Sequence, residues 1–209
     1  MTRPRFSARP IHVVTIIGGG FSGASFAIQL ARHSALPLDV TVVEPRAEIG
    51  RGLAYSTHDP DHRLNGTAGT HLVDPADPEE LTRWCAKRSI TRDDPDAVAD
   101  GGALFVRRRD FGRFVGEAFA RETRRQGRVR LRHLRDEAIS ATLIQQRIAV
   151  TTRGHASLPS DLLVIATGNV PTRLPARVAA DVERQHLRAA AIQRIKDVHY
   201  FHGKPERFI

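Results

Sequence analysis

The hydrophobic pattern of the first fifty residues is that of a strand, a helix and a second strand. The run 11–17 is mostly apolar and rich in β-branched residues, as is typical of a strand buried on both faces. Residues 21–32 then place their alanines and Ile28 on one helical face, and residues 40–43 are a second β-branched run. This order predicts a βαβ unit with a parallel sheet.

A long polar segment follows, and a helix is predicted after it. Residues 45–77 are rich in Gly, Asp, His and Asn, and a loop of this length inside a domain usually serves a function. Asp77-Pro78-Glu79-Glu80 combines a capping side chain, a proline for the first helical position and acids for the first turn. This pattern predicts a helix that begins here and runs to about Lys87.

The second half predicts one amphipathic helix and several short strands. An apolar stripe around Phe111 and Phe119 predicts a helix that ends by Gly127. The runs 129–134, 138–143 and 148–150 are closely spaced, which predicts an antiparallel meander, and 162–166 is again an apolar strand. Residues 177–198 predict a terminal helix. We therefore expect an α/β, Rossmann-like domain over 1–171, with a parallel sheet and a small antiparallel meander, and a helical C-terminal tail over 172–209.

The net charge of +9 raises the question of nucleic-acid binding. The arginines are spread along the whole chain, and the tightest run, Arg107-Arg108-Arg109, has no interleaved aromatic residues for base stacking. We expect no specific nucleic-acid partner. No apolar run approaches the roughly 20 residues of a membrane span, so we also expect no membrane association and a cytoplasmic location.

Cys85 is the only cysteine of the chain, which excludes an intramolecular disulfide and a redox-active cysteine pair. It follows Trp84 in a predicted helix, and we expect a small packed residue rather than a nucleophile. His58, His62 and His71 lie in the polar segment, where Pro60 prevents helical spacing, so we expect no metal site.

The candidate chemistry lies in the glycine-rich turn between the first strand and the first helix. The spacing Gly18-x-Gly20-x-x-Gly23 is that of a dinucleotide-binding loop. Its first glycine allows a tight turn, the second allows close approach of a pyrophosphate, and the third allows helix and strand to pack closely. The helix N-terminus attracts phosphate charge. The residues that we expect to contact the cofactor here are Gly18, Gly19, Gly20, Phe21, Ser22 and Gly23.

Glu44 stands at the end of the second strand, 21 residues after Gly23. A carboxylate at this place accepts hydrogen bonds from the adenosine ribose, and its charge disfavours the 2′-phosphate of NADP. Pro45 and Arg46 follow it directly and are included in the predicted cofactor site. These features together predict a bound dinucleotide, but the glycine spacing does not distinguish FAD from NAD.

Further motifs resemble those of the bacterial FAD-NAD(P)-binding flavoprotein family, which is related to the flavin monooxygenases that bind two dinucleotides. They are IIGGGFSGA, VTVVEPR, IGRGLAYS, HRLN with TAG, and LLVIATGN, and the resemblance covers roughly residues 11–171. It implies FAD as cofactor and, in a complete enzyme, NAD(P)H as electron donor.

The resemblance also implies where further residues contact FAD. Gly50, Arg51 and Gly52 would approach the pyrophosphate, with the arginine offsetting phosphate charge. Tyr55 and Asn65 would lie toward the flavin. The backbone near Ala138 and Ile139 would pass the adenine, and Thr167 with Gly168 would close over the cofactor. The family often has Asn-Val-Pro-Ala where this chain has Asn65-Gly66-Thr67-Ala68, and a proline where it has Arg107.

The expected function is that of an FAD-dependent oxidoreductase whose small-molecule substrate and catalytic acid or base are unknown. No second GxGxxG follows Gly23, so the sequence shows no site for the nicotinamide cofactor. Two alternatives stay open at this point: a truncated, catalytically incomplete FAD-binding remnant, and an NAD-dependent Rossmann enzyme.

Overall fold

The computed structural model describes residues 12–154 and 157–168. The predicted terminal helix and the tail 172–209 lie outside the described residues. The described elements, in chain order, are β1 (Val13–Ile17), α1 (Phe21–His33), β2 (Leu38–Val43), α2 (Glu80–Lys87), α3 (Ile90–Asp93), α4 (Arg108–Thr123), β3 (Val129–Leu134), β4 (Ala138–Ile144), β5 (Arg147–Thr152), β6 (Leu158–Ser160) and β7 (Leu162–Ile165).

The predicted βαβ unit is present and belongs to a four-stranded parallel sheet. The strand order is β3-β2-β1-β7, and β1 pairs in parallel with both β2 and β7. Helix α1 turns Gly23, Ala24, Ala27 and Ile28 inward, and all four are buried. The small residues on this face let the helix lie close to the strands, as the spacing of the alanines predicts. The expected α/β, Rossmann-like fold is confirmed.

The prediction for residues 129–134 was wrong in one respect. They form a strand, but β3 pairs in parallel with β2 and is not part of the meander. The chain between β2 and β3 includes α4, and such a helical crossover is what a parallel neighbour requires. The antiparallel sheet has the order β4-β5-β6, and its third strand, around Pro159, was not predicted.

The chain consists of two compact units. The sheet unit holds the described residues up to Ile49 together with Ala118–Thr167, and so contains both sheets and α1. The helical unit holds Gly50–Glu117, with α2, α3, most of α4 and two short 3-10 helices at Ala68–Thr70 and Pro95–Ala97. Gly168 is grouped with the helical unit.

Helix α2 begins at Glu80, three residues after the predicted capping residue. The Asp77 side chain forms an ion pair with Arg83 instead of capping the helix, and the backbone carbonyl of Asp77 accepts from the Glu80 amide. The predicted helix end at Lys87 is confirmed. The start was misplaced because the Asp-Pro-Glu-Glu pattern is equally compatible with a turn that precedes the helix.

The helical unit is held by an apolar core and a buried ion pair. Phe111, Phe114, Leu64 and Leu81 are fully buried. Asp94, itself buried, accepts hydrogen bonds of 2.7 and 2.8 Å from the two terminal nitrogens of Arg63. This paired geometry satisfies both oxygens of the carboxylate, which is what permits the charges to be buried.

Candidate functional site

The predicted glycine loop lies at the carboxyl end of β1, and three of its glycines leave no room for a side chain. Gly18 has a φ of +101°, and a β-carbon there would overlap the carbonyl of Ala166. A β-carbon on Gly23 would overlap the carbonyl of Gly18, and one on Gly19 would lie 2.7 Å from the β-carbon of Glu44. The tight turn and the close helix packing that the fingerprint implies are therefore both present.

Gly20 has a backbone conformation that a residue with a side chain also adopts. It is the N-cap residue of α1, with a φ of −68°, and it provides no side-chain cap. The first turn of α1 also contains no acidic residue. The positive end of this helix dipole is thus not neutralised by an acid in the helix's own first turn, which suits an anionic ligand. Phe21 and Ser22 lie in this first turn, with Ser22 exposed.

Glu44 closes the other side of the same loop. Its Oε2 accepts a 2.8 Å hydrogen bond from the backbone amide of Gly19, and its Oε1 accepts from the backbone amide and the Nε of Arg46. The residue is only 3% exposed. A carboxylate has about four acceptor positions, so one of them stays available on Oε2 for a hydroxyl group.

These contacts control the ionisation of Glu44. Burial raises the pKa of the carboxyl, but hydrogen bonds from Arg46 and Gly19, with the charge of Arg46, outweigh burial and hold the pKa below its ordinary value. The carboxylate is therefore charged at neutral pH. The same negative charge would repel a 2′-phosphate, in agreement with the sequence argument against NADP at this place.

Two further parts of the predicted site follow the strands of the sheet unit. Thr167 comes two residues after β7 and is exposed, and its α-carbon lies close to Gly18. Gly168 follows it with a φ of +73°. Ile139 lies in β4 and is 56% exposed. His133, at the end of β3, contacts the carbonyl oxygen of Glu44 through Nε2 at 2.9 Å, and no motif in the sequence indicated this contact.

In the helical unit, the predicted residues of the GRGLAY segment rest on α4. Gly50 and Gly52 have φ values of +93° and +53°. A β-carbon on Gly50 would lie 2.8 Å from the backbone nitrogen of Gly116, so the loop touches the helix backbone directly. A β-carbon on Gly112 would lie 2.9 Å from the carbonyl oxygen of Tyr55. The loop therefore packs directly against α4, and these close contacts fix its position on the helix.

Tyr55 and Asn65 are both anchored within the helical unit. The Tyr55 ring packs edge-on against Phe111, with 4.8 Å between the ring centroids. Burial raises the pKa of the Tyr55 phenol, against the opposing effect of the Arg108 charge. Asn65 is exposed, and its Oδ1 accepts a hydrogen bond of 2.5 Å from Nη2 of Arg108.

Arg108 and Gly112 were not selected from the sequence. Arg108 belongs to a run of three arginines, and nothing in that run distinguishes it from its neighbours. Gly112 and Gly116 lie four residues apart within the amphipathic helix, and that spacing is the signal that could have indicated a close contact.

The other sequence predictions concern Cys85, metal binding and membrane association. Cys85 is buried, and burial, with the nearby charge of Asp110, raises the pKa of its thiol to about 12. This confirms the packed role predicted for it. Among residues 12–154 and 157–168, no group of His, Cys, Asp and Glu side chains is arranged to hold a metal ion. In the same ranges, no helix combines the length and apolarity of a bilayer span.

A glycine loop at the end of β1, an acid at the end of β2 and a parallel sheet define a Rossmann-type dinucleotide-binding fold. A family model described as FAD-NAD(P)-binding matches residues 15–170, and the chain belongs to this family. The predicted family is confirmed, and so, at the level of the family, is FAD as cofactor. Comparison with curated proteins gives no significant match.

Similar solved structures support the same fold. Cyclohexanone monooxygenase with bound ε-caprolactone has a TM-score of 0.55 at 15% identity over 79% of this chain and 29% of its own. OTEMO in complex with FAD and NADP has a TM-score of 0.51 at 18% sequence identity. The match covers 81% of this chain and 28% of OTEMO. A flavin-containing monooxygenase from Stenotrophomonas maltophilia has a TM-score of 0.50 at 16% sequence identity. The match covers 78% of this chain and 42% of the monooxygenase. The chain thus spans less than half the length of each of these proteins.

Proposed function

We propose that this chain binds FAD and forms the flavin-binding part of an NAD(P)H-dependent oxidoreductase. The observation that carries the proposal is the arrangement of the Gly18–Gly23 loop, the uncapped start of α1 and Glu44. The residues fit the cofactor, because an uncapped helix start suits a pyrophosphate and the open acceptor position of Glu44 suits a ribose hydroxyl. FAD supplies hydride and electron transfer chemistry when it is bound.

The remaining predicted residues are assigned to parts of FAD as proposals. In the sheet unit, Gly20 and the first-turn residues Phe21 and Ser22 would bind phosphate, and Glu44 would accept from the ribose. Arg46 supports Glu44, since it contributes two of its hydrogen bonds, and Pro45 would contact the cofactor beside them. Ile139 would lie by the adenine, and Thr167 and Gly168 would follow the cofactor beyond β7.

In the helical unit, the assignment follows the family resemblance together with the contacts of α4. Gly50 and Gly52 would let the backbone approach phosphate, and Arg51 would offset its charge. Tyr55 and Asn65 would face the flavin. The family therefore favours FAD over the alternative of an NAD-dependent Rossmann enzyme. The domain over 1–171 and a separate tail over 172–209 are likewise part of the proposal.

The first test is reconstitution of the purified chain with FAD. We expect stoichiometric uptake with visible flavin absorption, and Gly20→Val is expected to weaken the affinity by more than about tenfold, or 1.4 kcal/mol. The added side chain would occupy the space of the pyrophosphate, whereas the φ of Gly20 tolerates a side chain.

Gly127→Val is the matched control, because nothing lies within 4 Å of a β-carbon at Gly127, which is in the same unit. It should bind FAD like the wild type. A folded wild-type chain that takes up NAD but not FAD would contradict the proposal.

Reduction by NAD(P)H distinguishes the enzyme from the remnant. Under anaerobic conditions, bleaching of the bound flavin by NADPH or NADH would support an active oxidoreductase. A yellow protein that neither donor reduces, while dithionite does, would favour a catalytically incomplete FAD-binding unit. The absence of a second GxGxxG after Gly23 is the observation that favours this second candidate.

A further inference from the structure

Arg46 fills one oxygen of the Glu44 carboxylate. The backbone amide of Arg46 donates to Oε1 at 3.0 Å, and its side-chain Nε donates to the same oxygen at 2.8 Å. Each oxygen of an ionised carboxyl group has about two acceptor positions, so Oε1 has no position left for a further donor. A hydroxyl group of a ligand that binds this carboxylate must therefore use the other oxygen.

The other oxygen, Oε2, accepts a single hydrogen bond in the part of the chain that the structure describes. Its donor is the backbone amide of Gly19, at 2.8 Å. Gly19 lies in the glycine loop, and a β-carbon on it would lie 2.7 Å from the β-carbon of Glu44, so the loop and the glutamate are in direct contact. The one remaining acceptor position of Oε2 thus lies beside the loop that is proposed to bind the pyrophosphate.

The three hydrogen bonds also fix the orientation of the carboxylate. Glu44 is only 3% exposed, so a rotation that broke one of them would leave a buried polar group unpaired, at a cost of about 1–3 kcal/mol. Two of the donors are backbone amides, whereas the third depends on the side chain of Arg46. Because that side chain is half exposed, its hydrogen bond can be removed without opening the core.

Two other basic side chains lie near this turn, but both contact its main chain. Nε2 of His133 lies 2.9 Å from the carbonyl oxygen of Glu44, and Nε of Arg135 donates to the carbonyl oxygen of Pro45 at 3.4 Å. Within residues 12–154 and 157–168, Arg46 is thus the one cation that pairs with the Glu44 carboxylate.

We propose that Arg46 is a positioning residue that occupies Oε1 of Glu44 and so restricts the proposed ribose contact to one hydroxyl group, bound by Oε2. The inference rests on the proposed function, since it takes Glu44 as the acceptor for the adenosine ribose. It goes further by assigning the accepting atom, the number of hydroxyl groups that it binds and a role for Arg46 that acts through Glu44.

Deoxynucleotides test the number of bound hydroxyl groups. The wild-type chain is titrated calorimetrically with ADP, 2′-deoxy-ADP and 3′-deoxy-ADP, which differ only in the ribose hydroxyl groups. We expect one deoxynucleotide to bind about tenfold more weakly than ADP, because a hydrogen bond to a charged oxygen is lost, and the other to bind within about threefold of ADP. Equal losses for the two deoxynucleotides would overturn the restriction to one hydroxyl group.

Arg46→Ala removes the Nε bond and frees one position on Oε1. Either hydroxyl group then finds an acceptor, so we expect the two deoxynucleotides to bind within about threefold of each other. Should Arg46→Ala not fold, Arg46→Met keeps an unbranched stem without a donor and should give the same result. A difference as large as that of the wild type would overturn the role of Arg46.

Arg135→Ala is the matched control for these variants. It removes one positive charge beside the same turn, but Arg135 bonds to the carbonyl oxygen of Pro45 and not to the carboxylate. It should keep the wild-type difference between the two deoxynucleotides. Loss of that difference in Arg135→Ala would show that positive charge in general, and not the bond of Arg46 to Oε1, sets the contact, and would overturn the inference.

The pH profile of FAD binding is a readout that a purely structural role would not change. Hydrogen bonds from Arg46 and Gly19, with the charge of Arg46, outweigh burial and hold the pKa of Glu44 below its ordinary value. Without the arginine side chain the pKa rises, and the carboxylate is neutralised as the pH falls through the raised value. Between about pH 7 and pH 5, FAD affinity should fall at least about threefold further in Arg46→Ala than in the wild type.

Arg46→Lys restores the charge and should recover most of this loss near pH 5. His133 is present in all three proteins, so its own titration does not affect the comparison. Parallel pH profiles for the wild type and Arg46→Ala would overturn the inference.

The outcomes separate the inference from the proposed function. A wild-type chain that binds FAD but does not distinguish ADP from either deoxynucleotide would overturn the inference and leave FAD binding in place. A folded wild-type chain that binds no FAD would overturn the proposed function and the inference together.

Discussion

Single residues of the glycine loop have separable roles. Gly18 and Gly23 are required by the fold, because a side chain on either would overlap neighbouring backbone atoms. Gly20 has an ordinary φ that a side chain tolerates, and its proposed role is to let the pyrophosphate approach the backbone. Glu44 belongs to both classes, since it binds the Gly19 amide and is also the proposed ribose acceptor. Mutations of these residues should therefore differ in their effect on stability and on binding.

Glu44→Gln tests the contribution of Glu44 to the stability of the fold, through the pH dependence of unfolding. The folded-state pKa of Glu44 is lowered, so its stabilisation is complete above the unfolded-state pKa and is lost as the pH falls through the folded-state pKa. We expect Glu44→Gln to be less stable by about 1–3 kcal/mol at pH 7 and to lose less stability than the wild type below about pH 4.

Urea unfolding at pH 7 and at about pH 3.5 measures both differences. Glu79→Gln is the control, because it makes the same chemical change at an exposed glutamate. Parallel stability curves for the wild type and Glu44→Gln over this range would contradict the assignment.

At the scale of elements, α4 acts as the support of the GRGLAY loop. Gly50 lies against the helix backbone at Gly116, and Gly112 lies against Tyr55. The apolar stripe of the helix was predicted from its 3.6-residue period, but the glycine contacts were not. A missing side chain leaves no mark on a hydrophobic pattern, so only the packing shows that these two glycines matter.

Gly112→Ala is expected to displace this loop. The new methyl group would lie 2.9 Å from the β-carbon and the carbonyl oxygen of Tyr55, so the loop must shift. The helix gains about 1 kcal/mol from the replacement of glycine, which offsets part of the strain, and the change in stability should be small. Tyr55 should become more exposed, and its pKa should fall toward the usual tyrosine value.

Spectrophotometric titration of the phenol measures this change, in a Tyr200→Phe background because Tyr55 and Tyr200 are the two tyrosines. Gly69→Ala is the matched control, since no atom lies within 4 Å of a β-carbon there. An unchanged Tyr55 titration in Gly112→Ala would show that the loop is not set by this contact.

At the scale of the whole molecule, the chain covers only 28–42% of the flavin monooxygenases that it matches in fold. The family match ends at residue 170, close to the proposed domain limit. The parallel sheet and the predicted phosphate loop lie entirely before that limit. These elements should therefore be sufficient for the proposed cofactor binding.

A chain that ends at Pro171 is expected to fold and to bind FAD with an affinity within about threefold of the full chain, a difference below 1 kcal/mol. Thermal unfolding and FAD titration of the two proteins measure this directly. Failure of the shortened chain to fold, or a large loss of FAD affinity, would show that residues 172–209 belong to the domain.

The sequence alone determined the elements whose signal is local. The β-branched runs of β1 and β2, the small face of α1 and the stripe of α4 each record burial along a continuous stretch, and the glycine spacing records a turn that few other residues can make. The fold class and the candidate residues of the glycine loop followed from these patterns, whereas the family and the other candidate residues followed from the resemblance of longer motifs.

Tertiary structure alone decided which elements meet. A period of two predicts a strand but not its neighbour, so β3 was assigned to the meander although it pairs in parallel with β2. The bonds of Glu44 to Gly19 and of Arg108 to Asn65 join residues 25 and 43 positions apart. Contacts over such distances depend on how the packed elements bring the chain together, and no local pattern encodes them.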